Sequence, residues 1–150
     1  MSLTPGEPVA NYDATQVDLL LCGIPVDGGL ADGVFISIKQ NQDDYGMTKG
    51  ADGSTVRYAT NDRSATVEVT LLQTAKANSL FAALRTAGLL VPGGADIAPF
   101  MIRDKLGTCV YAGKECWIQK PPDVDFDRKD TERKWIIQVP NMVRYDGGSA

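Results

Sequence analysis

The stretch Ala65-Thr66-Val67-Glu68-Val69-Thr70-Leu71-Leu72 decides the class of this fold. Ala65, Val67, Val69 and Leu71 fall on one face and Thr66, Glu68 and Thr70 on the other. This is the period of two that an extended backbone imposes on its side chains. One apolar face and one polar face predict a half-buried antiparallel strand. The same alternation recurs on both sides of it, in Val34, Ile36 and Ile38, and in Trp135, Ile137 and Val139 opposite Lys134 and Gln138. Further strands are expected over residues 16–22, 55–59, 99–103, 108–112 and 115–119. Gly and Asp clusters at residues 27–29, 50–53 and 92–94 separate them as turns.

Only residues 75–87 carry a helical pattern, with Leu80, Ala83, Leu84 and Ala87 at i, i+3, i+4 and i+7. Thr74 is placed to cap the helix N-terminus, and Gly88 to end it in a left-handed conformation. Many strands, one helix and frequent Gly turns predict a mainly β (α+β) fold: an antiparallel barrel or sandwich with one flanking helix. The 150 residues are read as a single domain. Residues 1–12, rich in Pro and Gly, form an expected N-terminal arm. Residues 40–54 form an expected protruding loop or hairpin. Residues 120–134 are a second polar stretch too long for an idle connector.

Apolar residues make up 43% of the chain and charged residues 23%, values ordinary for a globular domain. No apolar run approaches the roughly 18 residues of a membrane span, and the first residues lack a signal-peptide pattern, so synthesis in a cytoplasm is expected. A net charge of −4 and a pI near 4.7 argue against a surface built to grip phosphates. The charge is uneven. Residues 1–62 hold nine acids and three bases, a net of −6, whereas residues 63–150 hold ten acids and twelve bases, a net of +2. That split is either ordinary surface scatter or a pair of opposite-sign faces suited to head-to-tail association.

Catalytic chemistry finds little support. The chain has no histidine, which removes Ser-His-Asp and Cys-His catalysis and imidazole metal ligation. Cys22, Cys109 and Cys116 include no C-x-x-C pair, and an odd count forbids a complete disulfide set within one chain. They read as buried free thiols, with Cys109 and Cys116 able to face each other if the turn between them is tight. Asp123-Val124-Asp125-Phe126-Asp127 begins like a calcium loop, but Arg128 and Lys134 stand where such a loop needs Gly and Glu. An exposed acidic turn fits better. No nucleotide-binding glycine motif occurs. The expectation is a non-enzyme without cofactor or metal.

Several phrases run in order through the chain: Leu30-Ala31-Asp32-Gly33, Gly50-Ala51-Asp52-Gly53, Asn61-Asp62-Arg63-Ser64 leading into Thr70-Leu71-Leu72-Gln73-Thr74, and Trp117-Ile118-Gln119-Lys120-Pro121-Pro122-Asp123-Val124. Together, over roughly residues 12–145, they resemble the tail tube proteins of contractile-tailed bacteriophages, a family related in fold to type VI secretion inner-tube proteins. The resemblance implies a structural subunit of the virion tail. Six copies form a ring, rings stack into a hollow tube, and DNA passes through the lumen without specific binding. Sheath, tape measure and baseplate proteins are the implied partners, with no membrane partner. A type VI inner tube subunit and a monomeric β-domain that binds a small molecule or peptide are the alternatives. Inter-ring contacts are expected from Asp43, Asp44, Tyr45, Met47, Lys49 and Asp52, and lumen-facing carboxylates from Glu68 and Asp18.

Overall fold

The strand Ala65–Leu72 buries Ala65, Val67, Val69 and Leu71 and turns Thr66 and Glu68 outward, as its alternation requires. Fully burying a valine or leucine side chain is worth about 1.5–3 kcal/mol, so this face holds the strand at the centre of the fold. The computed structural model describes residues 9–22, 24–26 and 35–148. In chain order they form a 3-10 turn (Ala14–Gln16), β1 (Val17–Leu21), β2 (Ile24–Pro25), β3 (Ile36–Gln40), β4 (Tyr45–Lys49), β5 (Thr55–Ala59) and β6 (Ala65–Leu72). α1 (Ala77–Leu90), β7 (Ala98–Asp104), β8 (Val110–Lys120), β9 (Glu132–Val139) and β10 (Val143–Tyr145) follow. Val34, the Leu30–Gly33 phrase, the turn at residues 27–29 and residues 1–8 of the expected arm lie outside the described residues.

β6 is antiparallel to β9 along its whole length, from Ala65 opposite Val139 to Leu72 opposite Glu132, and to β3 on its other edge. The strand path runs β2-β1-β7-β8-β9-β6-β3, with β10 added beside β8. β8 serves both halves of this sheet. Its first part pairs with β7 and β10, its last residues with β9, and both main pairings contain a register shift. Such bulges bend a strand, which lets the sheet fold over on itself. Leu19, Leu21, Phe100 and Ile102 from one half then meet Val67, Val69, Ile137 and Val139 from the other in a single core. The result is a β-sandwich with one flanking helix, mainly β and antiparallel. Within one copy it does not close into a barrel, because β2 and β3 end the strand path.

The separate strands expected at residues 108–112 and 115–119 are one strand, β8, running through Gly113. Gly113 lies in the gap expected between those two strands, and its role is space: a Cβ there would press on the buried Val139 side chain and the Asn141 carbonyl. Without a turn, Cys109 and Cys116 do not face each other. Cys109 donates its thiol to the Gly147 carbonyl at 3.0 Å, while Cys116 is buried. Burial, with a smaller contribution from Cys22, pushes the Cys116 thiol up to about 12, so it stays protonated and unreactive. Cys22 is exposed, unlike the buried thiol expected.

α1 starts two residues late and ends three residues late against the expectation. Thr74 does not cap it. Its hydroxyl reaches across to Asp130 at 3.5 Å, and the N-terminal amides of Asn78 and Ser79 donate instead to Ala75 and Lys76 carbonyls in tight three-residue bonds. Gly88 lies inside the helix, where a Cβ would strike the Asp96 side chain as the chain returns toward β7. The buried face is Ala77, Asn78 and Phe81, with Leu80 and Leu84 half-buried and Ala83 exposed. Phe81 packs edge-on against Trp135, ring centres 5.5 Å apart. The indole Nε1 donates to Asn78 Oδ1 at 2.9 Å, and Asn78 Nδ2 donates to the Leu72 and Gln73 carbonyls. This knot fastens the helix to the end of β6.

Candidate functional site

Among the described residues β4 and β5 pair only with each other, as a two-stranded ribbon apart from the main sheet. Their register, Tyr45 opposite Ala59 through Lys49 opposite Thr55, fixes the two faces. Tyr45, Met47, Lys49, Thr55 and Arg57 share one face; Gly46, Thr48, Val56 and Tyr58 share the other. Neither face meets a core. Met47 is 64% and Val56 60% exposed, and Tyr45 and Tyr58 are also exposed. A two-stranded ribbon with no hydrophobic face buried is marginal in water. Large apolar side chains on both of its faces therefore mark a surface made to be covered.

Local chemistry nevertheless shapes the ribbon. At its tip the Gly50 amide donates to the Ser54 carbonyl at 2.7 Å, and Gly53 takes a left-handed φ of 87°. Asp52 Oδ1 accepts from the Ser54 hydroxyl at 2.7 Å and the Ser54 amide at 3.1 Å. Those two bonds, the hydroxyl first, hold its carboxyl below the ordinary aspartate range. Such a depressed group supports the turn above its unfolded pKa and loses that support as pH falls through the folded value. Amide exchange at Gly53 and Ser54 is therefore expected to quicken at strongly acid pH before the core amides respond, and Asp52→Asn should blunt that pH dependence. On the ribbon face the Arg57 guanidinium lies 3.7 Å above the centre of the Tyr45 ring. On the other face the Tyr58 ring covers Gly46, filling the space a side chain would need.

At the base, Asn41 bonds to Ser64 through both backbone and side chain, and Thr66 donates its hydroxyl to Asn41 Oδ1. Asn61, at a left-handed φ of 60°, and Asp62, which accepts from the Ser64 amide, return the chain into β6. The phrase Asn61-Asp62-Arg63-Ser64 is thus the hinge between ribbon and sandwich. Among the six residues expected at inter-ring contacts, Tyr45, Met47 and Lys49 lie on one ribbon face and Asp52 at its tip. Asp44 accepts from Gln40 Nε2 at 2.8 Å at the base, beside the exposed Asp43.

Glu68 and Asp18 sit elsewhere. Glu68 is on the outer face of β6, 3.8 Å from Lys134 on β9, with Lys39 of β3 two positions along the same face. Asp18 is on the outer face of β1, between Arg103 at 3.8 Å and Lys105 at 3.4 Å. These faces belong to the two halves of the folded sheet and point away from each other, so the structure does not bring the two acids together. Arg57, Val56 and Tyr58 were not singled out from sequence. The alternation of residues 55–59 gives a strand, but only the absence of a core beneath it makes both faces available.

Two open clefts lie among the described residues. One, of about 330 Å³, lies between β3 and the β1–β7 half and is lined by Val17, Ile36, Ile38, Tyr111 and Arg144. Two of its polar groups are engaged: Tyr111 donates to Asp146 at 2.7 Å and Arg144 holds the same carboxylate at 2.9 Å. Burial and then Asp146 raise the Tyr111 phenol far above its ordinary value, so it stays neutral. The other, of about 720 Å³, lies along Pro99, Ala112, Gly113, Pro140 and Val143. Among the described residues no cluster could hold a metal ion, and no helix is long and apolar enough to cross a membrane.

Solved structures share this architecture. A chain from the anti-feeding prophage cap (the tube-terminating cap) superposes with a TM-score of 0.60 at 8% identity, over 100% of each chain. A chain from the virion of a native gene transfer agent particle superposes with a TM-score of 0.60 at 11% identity, over 91% of this chain and 100% of its own. At such identities the likeness establishes the fold alone. No curated protein matches the sequence. The family of the bacteriophage PhiTE tail tube protein does match, over residues 25–145, the span from β2 to the end of β10. The chain therefore belongs to the phage tail tube family: it is a structural, non-enzymatic component of a phage-type tail.

Proposed function

We propose that six copies of this chain close into a ring, and that rings stack into a hollow tube that conducts DNA in a contractile tail. The observation that carries this reading is the open sheet. Among the described residues β3 pairs only with β6, and they leave its other side without a strand partner. An exposed edge of this kind invites another strand, and ring closure removes the hazard for every copy at once. A contact that closes around the ring but repeats along its axis gives a tube of indefinite length. Sheath, tape measure and baseplate proteins are then the expected partners, and the virion tail the expected location.

The outer face of β3, β6 and β9 fits a lumen wall better than that of β1 and β7. It presents Ser37, Lys39, Thr66, Glu68, Lys134 and Gln138 around a half-buried Ile136, with Glu68 3.8 Å from Lys134. The wall proposed is therefore mostly polar and mixed in charge, not lined by carboxylates alone, with Glu68 in the lumen and Asp18 on the outside. A lysine held by a neighbouring acid, as Lys134 is by Glu68, is less free to grip phosphates, so DNA slides.

Electron microscopy of the parent particle tests the reading: the tail should contain a tube of six-membered rings built from this chain, with Glu68 facing the lumen. Concentrated purified protein should likewise give rings or tubes in negative stain. A strictly monomeric protein, together with a parent particle whose tube lacks the chain, would sink it. A tube found with secretion genes and no sheathed virion favours the type VI alternative.

A further inference from the structure

From the charges and exposed apolar groups at the two ends of the sandwich, we infer that the ribbon of one copy docks onto the loop of residues 121–131 in the next copy. This inference rests on the tube reading and names the acceptor of its axial contact. The loop joins β8 to β9 and presents Val124 and Phe126, the latter 81% exposed, between Asp123, Asp125 and Asp127. A phenylalanine in water between three exposed aspartates contributes nothing to its own subunit. Yet the loop is fastened. The Thr131 hydroxyl lies 2.8 Å from Gln73 Oε1 and 3.0 Å from the Asp125 carbonyl, and the Gln73 amide donates to the Thr131 carbonyl at 2.9 Å.

The ribbon face of Tyr45, Met47, Lys49, Thr55 and Arg57 is the complement. It supplies an aromatic ring, a flexible thioether and two bases with no acid among them. Neither Lys49 nor Arg57, nor any of the three loop aspartates, has an ion-pair partner among the described residues. Met47, beside Tyr45 under its Arg57 cover, can receive Phe126, while Lys49 and Arg57 meet Asp123, Asp125 and Asp127; four acids against Arg128 and Lys129 leave the loop net negative.

Register places these two surfaces where they cannot meet within one copy. The ribbon springs from the end of β6 where Ala65 pairs with Gln40 and Val139. The loop enters β9 where Glu132 pairs with Leu72, at the opposite end of β6. Eight residues of strand separate those ends by roughly 24 Å. A second copy displaced along the strands brings ribbon to loop, and it leaves one free ribbon and one free loop for further copies. That is a heterologous contact, the kind that propagates.

Cysteine cross-linking tests it. In a Cys22→Ser background, Thr55→Cys combined with Val124→Cys keeps Phe126 and puts one thiol on each surface. Mild oxidation of the concentrated protein should give a ladder of dimers, trimers and longer covalent chains, while either cysteine alone should stop at dimers. Adding Phe126→Ala, or Lys49→Glu with Arg57→Glu, should raise the concentration needed for the ladder about tenfold or more. Asp123→Lys with Asp125→Lys should restore it to the doubly Glu-substituted protein. A ladder indifferent to these changes, or its absence at the highest concentration, overturns the inference. Rings without a ladder would remove this contact and leave the ring reading standing.

Discussion

Trp135→Ala is expected to destabilise the domain by about 3–5 kcal/mol, the range for emptying a large aromatic site in a core. A domain of this kind has about 5–15 kcal/mol in total, so the loss is a large part of it. Trp135 is 4% exposed and faces Phe81 edge-on, in the seam where α1 meets the sandwich. Its removal opens a cavity and also leaves Asn78 Oδ1 without the indole donor. Trp135→Phe separates the two effects. It keeps most of the ring and loses the hydrogen bond, for an expected cost of about 1–3 kcal/mol. Asn78→Leu should cost a similar amount or more, because two carbonyls and the indole N–H lose their partner together. Urea unfolding followed by far-UV circular dichroism measures all three. If Trp135→Ala shifts the midpoint no further than Trp135→Phe, the seam does not hold the helix as described.

Replacing residues 45–59 by an Asn-Gly turn should leave the subunit folded and abolish tube growth. Thr60 donates its amide to the Asp44 carbonyl at 3.0 Å, so the chain ends left by the deletion already stand opposite each other. Asn-Gly suits the two-residue turn that joins such ends. The deleted ribbon buries almost nothing, so stability should change by less than about 1 kcal/mol, as for surface changes generally. Assembly should change completely, because both exposed apolar faces and the two unpaired bases go with it. Rings should survive: with β3 and its edge intact, single rings are the expected product by negative stain and light scattering. Tubes of unaltered length would show that the ribbon is not the axial element. A subunit that unfolds would show instead that the ribbon belongs to the core, contrary to its exposure.

The sequence alone determined the parts of this protein that depend on periodicity. β6 and β9 were legible from their alternation, because an extended chain must send alternate side chains to opposite sides and only one side is apolar; the exception is Thr70, which the pattern puts on the open face and the fold buries. The absence of histidine excluded whole classes of catalysis without any geometry. The ordered phrases from Asn61-Asp62-Arg63-Ser64 to Trp117-Ile118-Gln119-Lys120 led to the tail tube family. Tertiary structure decided what local pattern leaves open. Gly113 and Gly88 look like chain breakers, yet each lies within a regular element, since the space beside it is filled by Val139 or by Asp96. Thr74 is a fitting cap by type, but the turn after β6 directs it to Asp130. Phe81 and Asn78, not Ala83, face the core, because Trp135 arrives from a strand 57 residues beyond Asn78. Residues 55–59 alternate like any sheet strand, and nothing in them says that no core lies beneath. Whether a strand face is buried, open to solvent or kept for a neighbour is set by the elements that pack against it, and these come from distant parts of the chain.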